Sequence, residues 1–88
     1  MHKIIVFSKD GCHLCERAID ILRGLSSGDK FVLEIIQITT NKELFDKYFL
    51  TIPVVRLDGK DLFNAEDIGL PEECRAKLTK MVLDLENS

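Results

Sequence analysis

Two cysteines three residues apart, Cys12 and Cys15, follow a polar turn, Ser8-Lys9-Asp10-Gly11, and open an amphipathic stretch. This spacing suits thiol chemistry, because residues three apart share one side of a helical turn. At the start of a helix Cys12 meets unpaired backbone N–H groups and the positive end of the helix dipole, both of which favour a thiolate. The thiolate is the nucleophile, and such surroundings lower a cysteine pKa from about 8.5 toward the ~3.5–7.5 range of reactive pairs. Cys12 is therefore expected to attack a disulfide, and Cys15, more buried, to resolve the mixed disulfide that results.

The neighbouring polar residues carry two readings each. Lys9 either stabilises the thiolate or a ligand carboxylate, or is an ordinary loop lysine. His13 points about a third of a turn away from the cysteine face, which makes it a poor partner for a metal held by both sulfurs. It either tunes the pair as a nearby cation or is a solvated surface residue. Cys74 lies on an apolar helical stripe with Leu78, Met81, Val82 and Leu85, where a free cysteine acts as a small hydrophobe.

The elements that must hold the pair can be read from periodicity. Ile4 to Phe7 is a continuous β-branched and aromatic run, the pattern of a strand covered on both faces. From Cys12 onward Leu14, Cys15, Ala18, Ile19, Leu22 and Leu25 recur at three and four, predicting a helix packed on a sheet and stopped by Ser26-Ser27-Gly28-Asp29. Phe31 to Ile38 reads as a second strand, which makes a parallel βαβ unit. Thr40 and Glu43 have the spacing of a capping box, opening a short helix that buries Leu44, Phe45 and Tyr48. Val54-Val55-Arg56-Leu57 and Lys60-Asp61-Leu62-Phe63 flank Asp58-Gly59, a strong hairpin signal. Pro71-Glu72-Glu73 opens a last helix with proline and carboxylates at its positive end. The order is β-α-β-α-β-β-α, an α/β fold with a four-stranded mixed sheet and helices on both faces.

Composition bounds the function. The 88 residues make a single domain over 1–88, and 45% hydrophobic with 31% charged residues describes an ordinary globular chain. A net charge of −3 gives no basic footprint for nucleic acid. No apolar run approaches the ~18 residues of a spanning helix, so no membrane is expected. Met1-His2-Lys3 leads straight into the first strand and does not read as a signal peptide. Three cysteines are too few for a disulfide scaffold and, in a reducing compartment, point to chemistry or metal. A cytoplasmic monomer is expected.

A Cys-x-x-Cys opening the first helix of a βαβ unit, with Ile52-Pro53 opening the third strand, resembles the thioredoxin superfamily. Within it the chain resembles the glutaredoxin-like proteins over essentially its whole length. Lys9, three residues ahead of Cys12, and Thr51-Ile52-Pro53 match the Lys-x-x-Cys and Thr-Val-Pro of glutaredoxins. The resemblance implies a thioredoxin-like fold and a cis bond before Pro53, with the backbone of Ile52 beside the sulfurs to pair with an extended substrate or glutathione. It also places Asp67 at the acidic position that holds glutathione. Two departures stand out. His13-Leu14 replaces Pro-Tyr between the cysteines, and Phe63-Asn64 replaces a Gly-Gly turn that lets a ligand approach the backbone closely.

Two functions follow. One is a thiol–disulfide oxidoreductase acting on protein or glutathione mixed disulfides through Cys12 and Cys15. It requires no cofactor, and glutathione as co-substrate or a thioredoxin-type reductase re-reduces the pair. The other is a metal or iron–sulfur module with the same cysteines as ligands. One Cys-x-x-Cys is half of a structural zinc site, so the second reading needs a dimer or Cys74.

Overall fold

Along the first strand, β1 (His2–Ser8), Ile4 and Val6 are buried in one core while Ile5 and Phe7 join another on the opposite face, the two-residue period of extended chain. β1 therefore runs through the middle of the molecule. The computed structural model describes residues 2–25 and 31–86 of the chain. In order they form β1, α1 (His13–Leu25), β2 (Phe31–Gln37), a 3₁₀ turn (Ile38–Thr40), α2 (Lys42–Tyr48), β3 (Val54–Leu57), β4 (Lys60–Phe63) and α3 (Pro71–Glu86). The sheet order is β2-β1-β3-β4, with β1 parallel to β2 and antiparallel to β3, and β3 antiparallel to β4. This is the expected mixed four-stranded sheet of a thioredoxin-like fold.

Helices cover both faces. Ala18 and Leu22 of α1 and Cys74, Leu78 and Val82 of α3 pack with Ile4, Val6 and Val55 on one side. Tyr48 of α2 packs with Phe7, Ile38 and Val54 on the other. Ile68, in the segment between β4 and α3, is wholly buried in the larger core and ties that segment down, whereas its apolar neighbour Leu70 is exposed. Among the described residues no helix is long and apolar enough to cross a membrane.

The local signals are partly displaced. β2 ends at Gln37, and Ile38, expected to close the strand, begins the 3₁₀ turn. That turn takes up Thr40, whose hydroxyl donates to the Gln37 carbonyl at 2.8 Å. The cap of α2 is Asn41 instead: its Oδ1 accepts the N–H groups of Glu43 and Leu44 at 2.9 and 3.2 Å. Of the three residues expected to be buried by this helix only Tyr48 is; Leu44 and Phe45 are half-buried. The stop at Ser26-Ser27-Gly28-Asp29 lies outside the described residues.

The hairpin forms as its sequence demands. Asp58 and Gly59 both have positive φ, 49° and 87°, the pattern of the tight turns whose twist matches the flanking strands. Asp58 also reaches across to the start of β1, accepting the Lys3 N–H at 2.8 Å and lying 2.6 Å from the His2 ring nitrogen. Those two contacts hold its carboxyl below the usual range.

Candidate active site

β1 hands the chain to α1 through a tight turn in which the Cys12 N–H donates to the Lys9 carbonyl at 3.2 Å. Gly11 is the third residue of that turn and has φ +83°, a conformation that costs glycine little and most residues much. The Cys12 carbonyl accepts the Glu16 N–H at 3.0 Å, the first bond of α1, so Cys12 stands at the N-cap. Its sulfur takes the role that a serine or aspartate oxygen has at other helix starts: it accepts the Cys15 N–H at 3.2 Å.

Cys12 is half-buried and Cys15 wholly buried. The two sulfurs are joined as a disulfide, with the Cα atoms 5.2 Å apart. One sulfur thus faces outward and the other backs it from the core. Cys74 is a free thiol, wholly buried in the larger core among residues of α3, α1 and β1, and burial pushes its thiol up from the ordinary value. Among the described residues no group of three or more His, Cys, Asp or Glu side chains is arranged to hold a metal ion.

The Thr51-Ile52-Pro53 loop leaves the sheet at the same end. Val54 pairs with Phe7 in the antiparallel β1–β3 ladder, so Pro53 falls level with Ser8, at the entry to the cysteine turn. The Ile52–Pro53 bond is cis, and Pro53 is buried while Thr51 and Ile52 are half-buried. The loop is held from two sides. The Tyr48 carbonyl accepts the N–H groups of Thr51 and Ile52 at 2.9 and 3.1 Å and the Thr51 hydroxyl at 3.3 Å. On the other side the Thr51 carbonyl accepts the Ala65 N–H at 2.9 Å.

The remaining expected site residues are more dispersed. Lys9 is exposed, with its ammonium 5.8 Å from the centre of the Phe45 ring on the α2 side. His13 has a 96% exposed side chain and a ring nitrogen 3.7 Å from a Glu16 carboxylate oxygen, on the outer side of α1. Asp67 closes the turn after β4: its Oδ2 accepts the Asn64 N–H at 3.0 Å, and its backbone N–H donates to the Asn64 carbonyl at 3.0 Å. Ala65, inside that turn, connects it to Thr51, so Asp67 belongs to the same end of the molecule as the loop.

One group was not foreseen. The guanidinium of Arg56 donates through Nε to Asp61 Oδ1 at 2.7 Å and through Nη2 to the Tyr48 hydroxyl at 2.9 Å. That hydroxyl donates to Asp61 Oδ2 at 2.9 Å, closing a ring of three side chains. The Tyr48 ring stacks on Phe7 at 4.7 Å, and the Arg56 guanidinium lies 4.8 Å from the same Phe7 ring. Hydrogen bonding to Asp61 raises the Arg56 pKa, and the same bond lowers that of Asp61. A signal existed: a two-residue turn at Asp58-Gly59 sets Arg56 opposite Asp61, an ion pair across the hairpin.

No curated protein matches the chain. A family model described as Glutaredoxin-like domain (DUF836) matches residues 3–85, which takes in the cysteine turn, the cis-proline loop and nearly all of α3. A match of that extent, on a chain whose cysteine pair and sheet already have this arrangement, makes the protein a member of the glutaredoxin-like domain family.

Proposed function

We propose that the protein is a thiol–disulfide oxidoreductase that reduces protein or glutathione mixed disulfides. The observation that carries this reading is the half-exposed Cys12 sulfur at the tip of α1, facing the Cys15 N–H, with the Cys15 sulfur buried directly behind it. Membership of the glutaredoxin-like family supports it.

In the reduced protein the Cys12 thiolate attacks one sulfur of a substrate disulfide. A Cys12–substrate S–S bond forms, the substrate S–S bond breaks, and one substrate thiolate leaves. Cys15, as thiolate, then attacks the Cys12 sulfur. The intramolecular Cys12–Cys15 bond forms and the second substrate thiolate departs. Two electrons pass from the pair to the substrate, and the departing thiolates take up two protons from solvent. Two glutathione thiols, or the dithiol of a thioredoxin-type reductase, reverse the last bond. No other cofactor enters the balance.

The surroundings have roles in this scheme. The Ile52 backbone, level with the cysteine turn, pairs with an extended substrate, and Thr51 and Pro53 fix its direction. Lys9 supplies positive charge for the thiolate or for a glutathione carboxylate, Asp67 negative charge for the glutathione amine, and His13 tunes the pair. The protein acts as a cytoplasmic monomer, where thiols are kept reduced.

The test is direct. The reduced protein, titrating two reactive thiols before unfolding, is assayed for reduction of insulin and of a glutathione mixed disulfide. Turnover of either is the expected result. Failure on both with Cys12 freely alkylated would remove the oxidoreductase reading.

A further inference from the structure

The geometry points to Tyr48, locked by Arg56 and Asp61, as the residue that positions the substrate-pairing loop. This inference rests on the oxidoreductase reading above.

α2 has seven residues, well below the ~12–15 at which an isolated helix is even marginal in water. Where its last turn sits must therefore be decided by tertiary contacts. Tyr48 is the last residue of α2 and faces two ways. Its side chain is anchored to the sheet: the ring stacks on Phe7 of β1, and the hydroxyl is bound by Arg56 of β3 and Asp61 of β4. Its carbonyl, one of the unpaired acceptors at any helix end, is turned outward to the loop. There it accepts the N–H groups of Thr51 and Ile52 and the Thr51 hydroxyl.

Tyr48 therefore joins the sheet to the segment that ends in the cis Ile52–Pro53 bond. A shift of its main chain moves all three donors together. The side-chain ring of hydrogen bonds sets that main chain more narrowly than stacking does, because a stacked pair slides at little cost whereas two charge-assisted bonds to one oxygen fix its place. Arg56 is well suited to this: its planar fork meets the Asp61 carboxylate through Nε and the Tyr48 hydroxyl through Nη2 at once. The contacts of Tyr48 are with the sheet and with the loop. Its part in the reaction is played through Thr51 and Ile52.

Tyr48→Phe removes the hydroxyl and keeps the stack on Phe7, and Asp61→Asn removes the charge and keeps the shape. Both are prepared in the full chain and compared with the wild type by amide hydrogen exchange in the oxidised state and by steady-state reduction of insulin. In Tyr48→Phe the Thr51 and Ile52 amides exchange roughly fivefold faster, the weight of one lost hydrogen bond, while the Ile4 and Val6 amides are unchanged. KM for insulin rises by a similar factor with kcat held within about twofold, the pattern of lost binding and intact chemistry. The rate of Cys12 alkylation does not move. The double variant is no worse than Tyr48→Phe alone, as members of one unit are not additive.

Unchanged exchange at Thr51 and Ile52 overturns the proposal. So does faster exchange spread evenly over the protein, which marks a purely structural role, and so does an unchanged KM in variants whose loop amides have loosened. A wild-type protein that reduces no disulfide removes the oxidoreductase reading by itself. The loop amides still decide whether Tyr48 holds the loop.

Discussion

The backbone N–H of Cys15 points at the sulfur of Cys12 across 3.2 Å, so the outer member of the pair caps the helix that carries the inner one. A hydrogen bond to a charged acceptor is stronger than to a neutral one, and a helix start adds its own positive potential. Both effects favour the thiolate over the thiol once the disulfide is opened. In the reduced protein at pH 7 Cys12 is expected to react with iodoacetamide at least about tenfold faster than free cysteine. Equal rates, followed by mass spectrometry of the alkylated peptide, would sink this assignment.

The order of attack predicts an asymmetry between the cysteines. Cys12→Ser abolishes disulfide reduction. Cys15→Ser leaves the attacking sulfur in place but removes the one that releases it, so a covalent Cys12–substrate species accumulates. Non-reducing gels after incubation with an insulin disulfide separate the two outcomes. Trapping by the Cys12→Ser variant would reverse the roles.

Cys74 presents the opposite case. It is wholly buried among Ile4, Leu78 and Val82, and its thiol is pushed up by burial. In the native protein it should resist alkylation at pH 7 and become reactive only in urea. Cys74→Ser buries a hydroxyl in that core and should lower stability by about 1–3 kcal/mol while leaving activity unchanged. A loss of activity equal to that of Cys12→Ser would show that Cys74 takes part in the chemistry.

Much of this is legible in the sequence, for physical reasons that differ between elements. The central strand announced itself because Ile4 to Phe7 must be apolar on both faces. The hairpin did so because Asp58-Gly59 has few other uses, and α3 because Cys74, Leu78, Met81, Val82 and Leu85 keep helical spacing. The cap of α2 was misplaced by one residue because Thr40 and Asn41 are both good caps, and only the 3₁₀ turn before them decides which is free to act. Ile68 was missed because apolar residues in an irregular loop have no period, and nothing in the sequence tells buried Ile68 from exposed Leu70. The Tyr48–Arg56–Asp61 ring was missed for a further reason. Tyr48 reads as a core residue on its own helix, and its hydroxyl's partners lie on two strands that become neighbours only when the sheet forms.

Asp67 offers a way to separate a binding role from a structural one. Its Oδ2 accepts the Asn64 N–H, a bond that an asparagine oxygen at the same place also accepts. Asp67→Asn should therefore keep its urea midpoint, changing stability by less than about 0.5 kcal/mol. If its charge holds glutathione, KM for a glutathione mixed disulfide rises roughly fivefold while KM for insulin stays put, since only the first substrate offers the amine. An equal rise for both substrates would assign Asp67 to the loop and not to the ligand.

Asp61 gives the pH dependence. Its carboxyl is held below the ordinary range first by the Arg56 hydrogen bond and also by the Tyr48 hydroxyl, against a cost of burial. A folded-state pKa below the unfolded value means that the stabilisation is fully present above the unfolded pKa of about 3.9 and is lost as pH falls through the folded one. Its side chain is 39% exposed, so solvent screening limits the contribution to about 0.5–1 kcal/mol. Asp61→Asn should thus be less stable than the wild type by that amount at pH 7. The gap should persist down to about pH 4 and close below it, as the wild-type carboxyl takes up its proton. Urea midpoints at a series of pH values measure the difference; a gap that stays constant down to about pH 2 would show that the cost of the substitution does not come from the charge of Asp61.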